Sequence, residues 1–130
     1  NSIAMTKMYY NLFEIVLNDK ENDKSILEIL NILAISKDNN AIGVYIEKEK
    51  LIDYWKSNQN IGKEAIKLER KIKSIYLEKN YELKKQNQKS YFFVFQSLEP
   101  FENYDSFIII IKFRYNGNVK SLTFEFRKNP

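Results

Sequence analysis

The chain has 130 residues, 44% hydrophobic and 15% aromatic, with a net charge of +4 and neither Cys nor His. Length and composition fit one domain with a packed core, and the two missing residue types exclude disulfides, thiolate nucleophiles, cysteine or histidine metal sites and imidazole acid–base chemistry. Carboxylate, Lys and Tyr are what remain for metal or acid–base chemistry.

Asn1 to Ala4, ahead of Met5, read as an expression remnant, which leaves residues 5–130 as a single domain. The ending at Pro130, straight after a strand, fits a domain cut from a longer protein. In Met8 to Leu17 the residues Tyr9, Leu12, Phe13 and Val16 suit a helix, while Phe13, Ile15 and Leu17 alternate as in a strand. A helix is the expectation. Ser25 and Glu28 have capping-box spacing ahead of Ile26, Leu27, Ile29, Leu30, Ile32, Leu33 and Ile35, apolar nearly all round, so a buried central helix is predicted. Ile42, Val44 and Ile46 alternate around Gly43 as a short strand.

Glu47 to Ser57 predicts a further, short helix, with Leu51, Ile52, Tyr54 and Trp55 on its apolar side. Asn58, Asn60 and Gly62 make a polar turn before another helix. That helix sets Ile61, Ala65, Leu68, Ile72 and Ile75 on one side and Lys63, Lys67, Arg70 and Lys71 on the other. Tyr81 to Gln86 and Ser90 to Gln96 predict two strands joined by a short polar turn. Phe107 to Tyr115 and Val119 to Arg127 then predict a hairpin turning at Asn116-Gly117, with one wet face and one dry.

Charge is unevenly spread. Lys63 to Lys89 holds nine of the 21 basic residues and four of the 17 acids, so this stretch is +5 and the remainder −1. Clustered Lys and Arg over a helix and a hairpin are what phosphate contact requires, although a solvated surface has the same composition. The element order matches a winged helix, a helix-turn-helix variant with a wing hairpin, plus an additional antiparallel β-hairpin: an α+β fold. Glu47 to Ser57 and Gly62 to about Ile75 are then the helix-turn-helix pair, and Lys84 to Lys89 the wing tip.

The run Ile46-Glu-Lys-Glu-Lys-Leu51, then Gly62-Lys-Glu-Ala-Ile-Lys-Leu-Glu-Arg-Lys-Ile72, Tyr91-Phe-Phe-Val-Phe95 and Phe107-Ile-Ile-Ile-Ile-Lys-Phe113, resembles the N-terminal winged-helix domain of plasmid replication initiator proteins. The match is a pattern of apolar and basic positions across Ser25 to Arg127. The second winged helix of that family is absent. The resemblance implies a non-catalytic domain that dimerises and contacts origin DNA through phosphates. It places Lys63, Lys67, Arg70 and Lys71 on the recognition helix and Lys84, Lys85 and Lys89 on the wing. Asn58 and Asn60 can hydrogen-bond a phosphate or base edge, or simply shape the turn.

Phe107, Ile108, Ile109, Ile110 and Ile111 are apolar on both faces of their strand, which calls for cover on both sides and points to a twin subunit as the second cover. Glu99, Glu102 and Asp105 are close enough in sequence to hold a cation, but lack calcium-loop spacing. There is no Gly-rich phosphate loop, and Ser and Tyr have no His partner. The sequence predicts no enzyme, no cofactor and no small-molecule substrate. With no run of roughly 18 apolar residues and no signal-peptide pattern, a cytoplasmic location without membrane contact is expected. The other class left open is a small interaction protein, such as an immunity protein or phage-encoded inhibitor, gripping its partner with a Tyr- and Phe-rich sheet.

Overall fold

The computed structural model describes residues 8–18, 24–58, 63–84 and 88–128. Seven strands and two α-helices follow in the order β1 (Tyr9–Leu17), β2 (Lys24–Ser36), β3 (Val44–Ile46), α1 (Lys48–Asn58), α2 (Lys63–Ile75), β4 (Asn80–Lys84), β5 (Lys89–Ser97), β6 (Ser106–Tyr115) and β7 (Asn118–Arg127). A short 3₁₀ turn, Phe101–Asn103, lies between β5 and β6. One sheet has the order β1-β5-β3, the other β4-β2-β6-β7, and every neighbouring pair is antiparallel. This overturns the winged helix.

Two predicted helices are strands. In β1 the alternation of Phe13, Ile15 and Leu17 prevails, each half-buried or buried, while Leu12, Glu14 and Val16 are exposed. In β2 the residues Ser25, Leu27 and Ile29 are buried, and so are Ile32 and Ala34, one step out of phase. A β-bulge between Ile29 and Asn31 makes the shift. The extra residue breaks the period of two, so a bulged strand presents apolar residues at spacings that look helical. Isoleucine at 26, 29, 32 and 35 also favours a strand, because β-branched side chains fit a pleated surface better than a helix.

The wing is absent as well. β4 pairs with β2 and β5 pairs with β1 and β3, so the two strands expected to form one hairpin belong to different sheets. β3, the two helices and the β6–β7 hairpin stand where expected. At its turn Asn116 and Gly117 have φ of 46° and 85°, the left-handed values of a type I′ turn.

The sheets pack face to face. Leu27, Ile29, Ile32, Ala34, Ile109 and Ile111 of the larger sheet meet Phe93 and Phe95 of the smaller one, all buried. Phe13 is the hub of the aromatic part, with ring centroids 5.5 to 6.1 Å from Phe93, Phe95, Phe101, Phe107 and Phe126. The helices lie on the outer face of the smaller sheet. There Val94 is buried, Ile52 is 4% exposed, and the Tyr54 ring of α1 stands 5.4 Å from Tyr10 of β1. A helical layer, a three-stranded sheet and a four-stranded sheet result. The outer face of the larger sheet carries no helix among the described residues.

Candidate functional site: the open seam between two edge strands

β1 ends the smaller sheet and β7 ends the larger one, and both edges lie on the same side of the sandwich. Phe13 and Phe126 meet across the gap at 5.5 Å. One cleft of about 600 Å³ runs past Tyr9, Asn11, Phe13, Phe101, Phe107 and Phe126. A second, of about 290 Å³, continues past Phe13, Ile15, Phe93, Ile109, Ile111, Phe124 and Phe126. Sharing Phe13 and Phe126, they form one apolar seam.

β7 leaves all ten of its residues exposed. Register with β6 puts Leu122, Phe124 and Phe126 opposite Ile111, Ile109 and Phe107, on the core-facing side. Yet these three remain 49, 40 and 37% exposed, because β1, the edge of the smaller sheet, stands across an open cleft from them and touches Phe126 through the Phe13 ring. The other face of β7 is polar apart from Val119, with Glu125 and Arg127 paired at 2.7 Å.

Backbone direction completes the edge. The two-residue turn makes Tyr115 and Asn118 a hydrogen-bonded pair, so the even-numbered residues of β7 bond to β6. The Lys128 N–H donating to the Asp105 carbonyl at 2.8 Å continues the alternation. Val119, Ser121, Thr123, Glu125 and Arg127 therefore aim their N–H and C=O groups outward.

The expected DNA-contacting residues fall on separate elements. Lys67, Arg70 and Lys71 are exposed on α2, where none forms an ion pair with a described residue. Lys84 and Lys89 are exposed and line one cleft of about 170 Å³ with Leu17, Tyr81 and Tyr91. Lys24 stands opposite Lys84 across the β2–β4 pair and also reaches Glu82 at 3.0 Å. Lys85 and Asn60 lie outside the described residues, as do the side chains of Lys63 and Asn58. There is no recognition helix set on a wing to unite them.

The expected dimer strand divides by face. Phe107, Ile109 and Ile111 belong to the core, at 9, 1 and 2% exposure, so they cannot also meet a twin subunit. Ile108 and Ile110 point out, opposite Ile35 and Leu33. Glu99, Glu102 and Asp105 form no metal-binding group; none occurs among the described residues.

A further cleft of about 580 Å³ holds Tyr45, Glu47, Lys48, Glu49, Glu78 and Lys79. Its one nearly buried ammonium, Lys48, donates to the Lys73 carbonyl at the end of α2 and pairs with Glu78. Burial pushes the Tyr45 phenol well above its usual range, with Tyr76, Tyr81 and Glu47 adding to the shift. Among the described residues of this cleft no nucleophile–base pair is formed.

Sequence reasoning missed the seam because it made β1 a helix. The signal was present in the alternation of Phe13, Ile15 and Leu17 and in the Leu122, Phe124, Phe126 row. No helix among the described residues is long and apolar enough to cross a membrane. No known protein family, curated protein or solved structure matches the chain. The fold defines its class: an antiparallel two-sheet sandwich with a helical pair on the smaller sheet and an open seam at one side.

Proposed function

We propose that this domain is a protein-interaction module without catalysis, which takes an extended segment of its partner along the edge of β7 and seats alternate side chains of that segment in the seam. The carrying observation is the combination on β7 of outward backbone groups with a half-exposed row of Leu122, Phe124 and Phe126. A long apolar edge strand is a pairing template that folded proteins ordinarily cover or blunt. Main-chain hydrogen bonds supply affinity in such strand addition, and pockets for every second side chain supply selectivity.

Selection of random 12-residue peptides displayed on phage tests this reading. Peptides with apolar residues at alternate positions should be enriched on the wild type, bind with little change between about 50 and 200 mM salt, and be lost on Leu122→Glu or Thr123→Pro. Absence of enrichment, or equal binding to the folded variants, would overturn it.

A second reading keeps the DNA-associated, replication-initiator role. It rests on Lys24, Lys84 and Lys89 gathered at one end of the sandwich, three cations beside one carboxylate, Glu82, which pairs with Lys24. Anisotropy of a labelled random duplex is its test: three phosphate contacts give a log-log salt slope of about −3, abolished by Lys84→Glu with Lys89→Glu. A slope near zero would end that reading.

A further inference from the structure

We infer that the extended partner of β7 is the β7 of a second copy of this chain, paired antiparallel about a two-fold axis through Thr123. This rests on the interaction reading above and names its occupant. A two-fold axis normal to a sheet pairs odd residues with odd and even with even, so few registers exist. Those centred on Lys120, Glu125 or Arg127 oppose like charges directly. One centred on Phe124 sets Lys120 against the twin's Lys128. Centring on Phe126 brings Glu125 to the twin's Arg127 but pairs only the last residues of the strand, and centring on Ser121 or Leu122 leaves its end unpaired.

The register about Thr123 uses the whole of β7. It sets Val119 opposite the twin's Arg127, Ser121 opposite Glu125, Leu122 opposite Phe124 and Lys120 opposite Phe126, with no like charges in direct opposition. Each outward N–H and C=O from Val119 to Arg127 then meets its counterpart. The serine hydroxyl is placed to donate to the carboxylate and the ammonium to lie on a ring face. Leu122 and Phe124 of both copies form a closed apolar cluster on the inner side, where each now stands half-exposed. The two larger sheets become one continuous sheet of eight strands. Strand pairing alone is at the small end of stable interfaces, so the association is reversible and depends on concentration.

Because the chain has no Cys, a single introduced thiol reports on the register. Opposed residues of a hydrogen-bonded pair are about 5.5 Å apart at Cα, within disulfide range. Residue 121 of one copy is about 14 Å from residue 121 of the other in this register, beyond that range. Thr123→Cys should therefore give a covalent dimer under mild oxidation and Ser121→Cys should not, each checked for native circular dichroism. Sedimentation velocity of the wild type should show a monomer–dimer equilibrium that Thr123→Pro abolishes.

Equal cross-linking of both cysteine variants, or of neither, would overturn the register. A chain that stays monomeric at about 500 µM yet selects strand peptides would overturn the twin partner while the interaction reading stands. Failure of the peptides as well would remove both.

Discussion

The hydroxyl of Tyr76 accepts the Val94 N–H at 3.0 Å and donates in turn to the Ile46 carbonyl. Ile46 and Val94 are partners in the β3–β5 ladder, so the phenol stands between two strands where their own hydrogen bond would be. Immediately beyond, the Leu77 N–H donates to the Phe92 carbonyl at 2.8 Å and extends the edge that β3 leaves off. The end of α2 is thereby fastened into the smaller sheet.

Tyr76→Phe removes one oxygen and leaves a buried N–H and a carbonyl short of a partner. A loss of about 1–3 kcal/mol in unfolding free energy is expected. Urea titration followed by circular dichroism measures it.

Asn11 does similar work for the loop after β5. Its amide donates to the Phe95 carbonyl at 3.2 Å and to Ser97 Oγ at 2.8 Å, and its carbonyl oxygen accepts the Phe101 N–H at 2.9 Å. Asn11→Ala should destabilise the fold by about 1–3 kcal/mol, with increased amide exchange at Phe101 as the local sign.

Gly43 is required by close approach. A Cβ there would lie 2.8 Å from Phe101 Cζ and 3.1 Å from the Gln96 carbonyl oxygen. Phe101 is 3% exposed and hemmed in by other rings, so it cannot swing aside freely. Gly43→Ala should cost about 1–3 kcal/mol by overpacking. Adding Phe101→Leu should recover part of that loss in a double-mutant cycle, since the clash is with the ring.

Alkali should unfold the domain through its buried phenols. Burial pushes Tyr76 up to about 12 and raises Tyr45 and Tyr81 still further from the ordinary value of 10.0. A folded-state pKa above the unfolded one means the folded chain binds more protons between the two. The contribution is intact below about pH 10 and falls as pH rises toward 12, by about 1.4 kcal/mol per pH unit for each protected phenol once the unfolded chain has ionised. Unfolding free energies from about pH 9 to 11.5 should show the decline, and Tyr76→Phe should make it shallower.

Legibility in the sequence followed the regularity of each element. The β6–β7 hairpin was plain because Leu122, Phe124 and Phe126 alternate with polar residues and an Asn-Gly turn separates the two strands. α1 and α2 were plain because their apolar side chains recur at three and four. β2 was hidden by its bulge, which mixes two phases of a strand into one apolar run. β1 carried both periods, and only the sheet it joins resolves the choice. The pairing of β4 with β2 and of β5 with β1 was not legible at all, since adjacency in sequence favours a hairpin and the true partners lie more than 40 residues away. The seam needed all of these together, because it exists only where two edges from distant parts of the chain face each other.

The ladder between β1 and β5 joins Tyr9 to Ser97 and Leu17 to Lys89. β1 has no other neighbour in its sheet, so it cannot be secured until the chain has been made as far as β5. Pairings this remote close slowly, because the entropy of a long loop must be overcome before any contact is gained. During synthesis a segment rich in Tyr, Phe, Leu and Ile thus waits unpaired while some 70 residues follow it. Slow, late docking of β1 is the expected last step of folding, and the interval before it is when this chain is most open to aggregation.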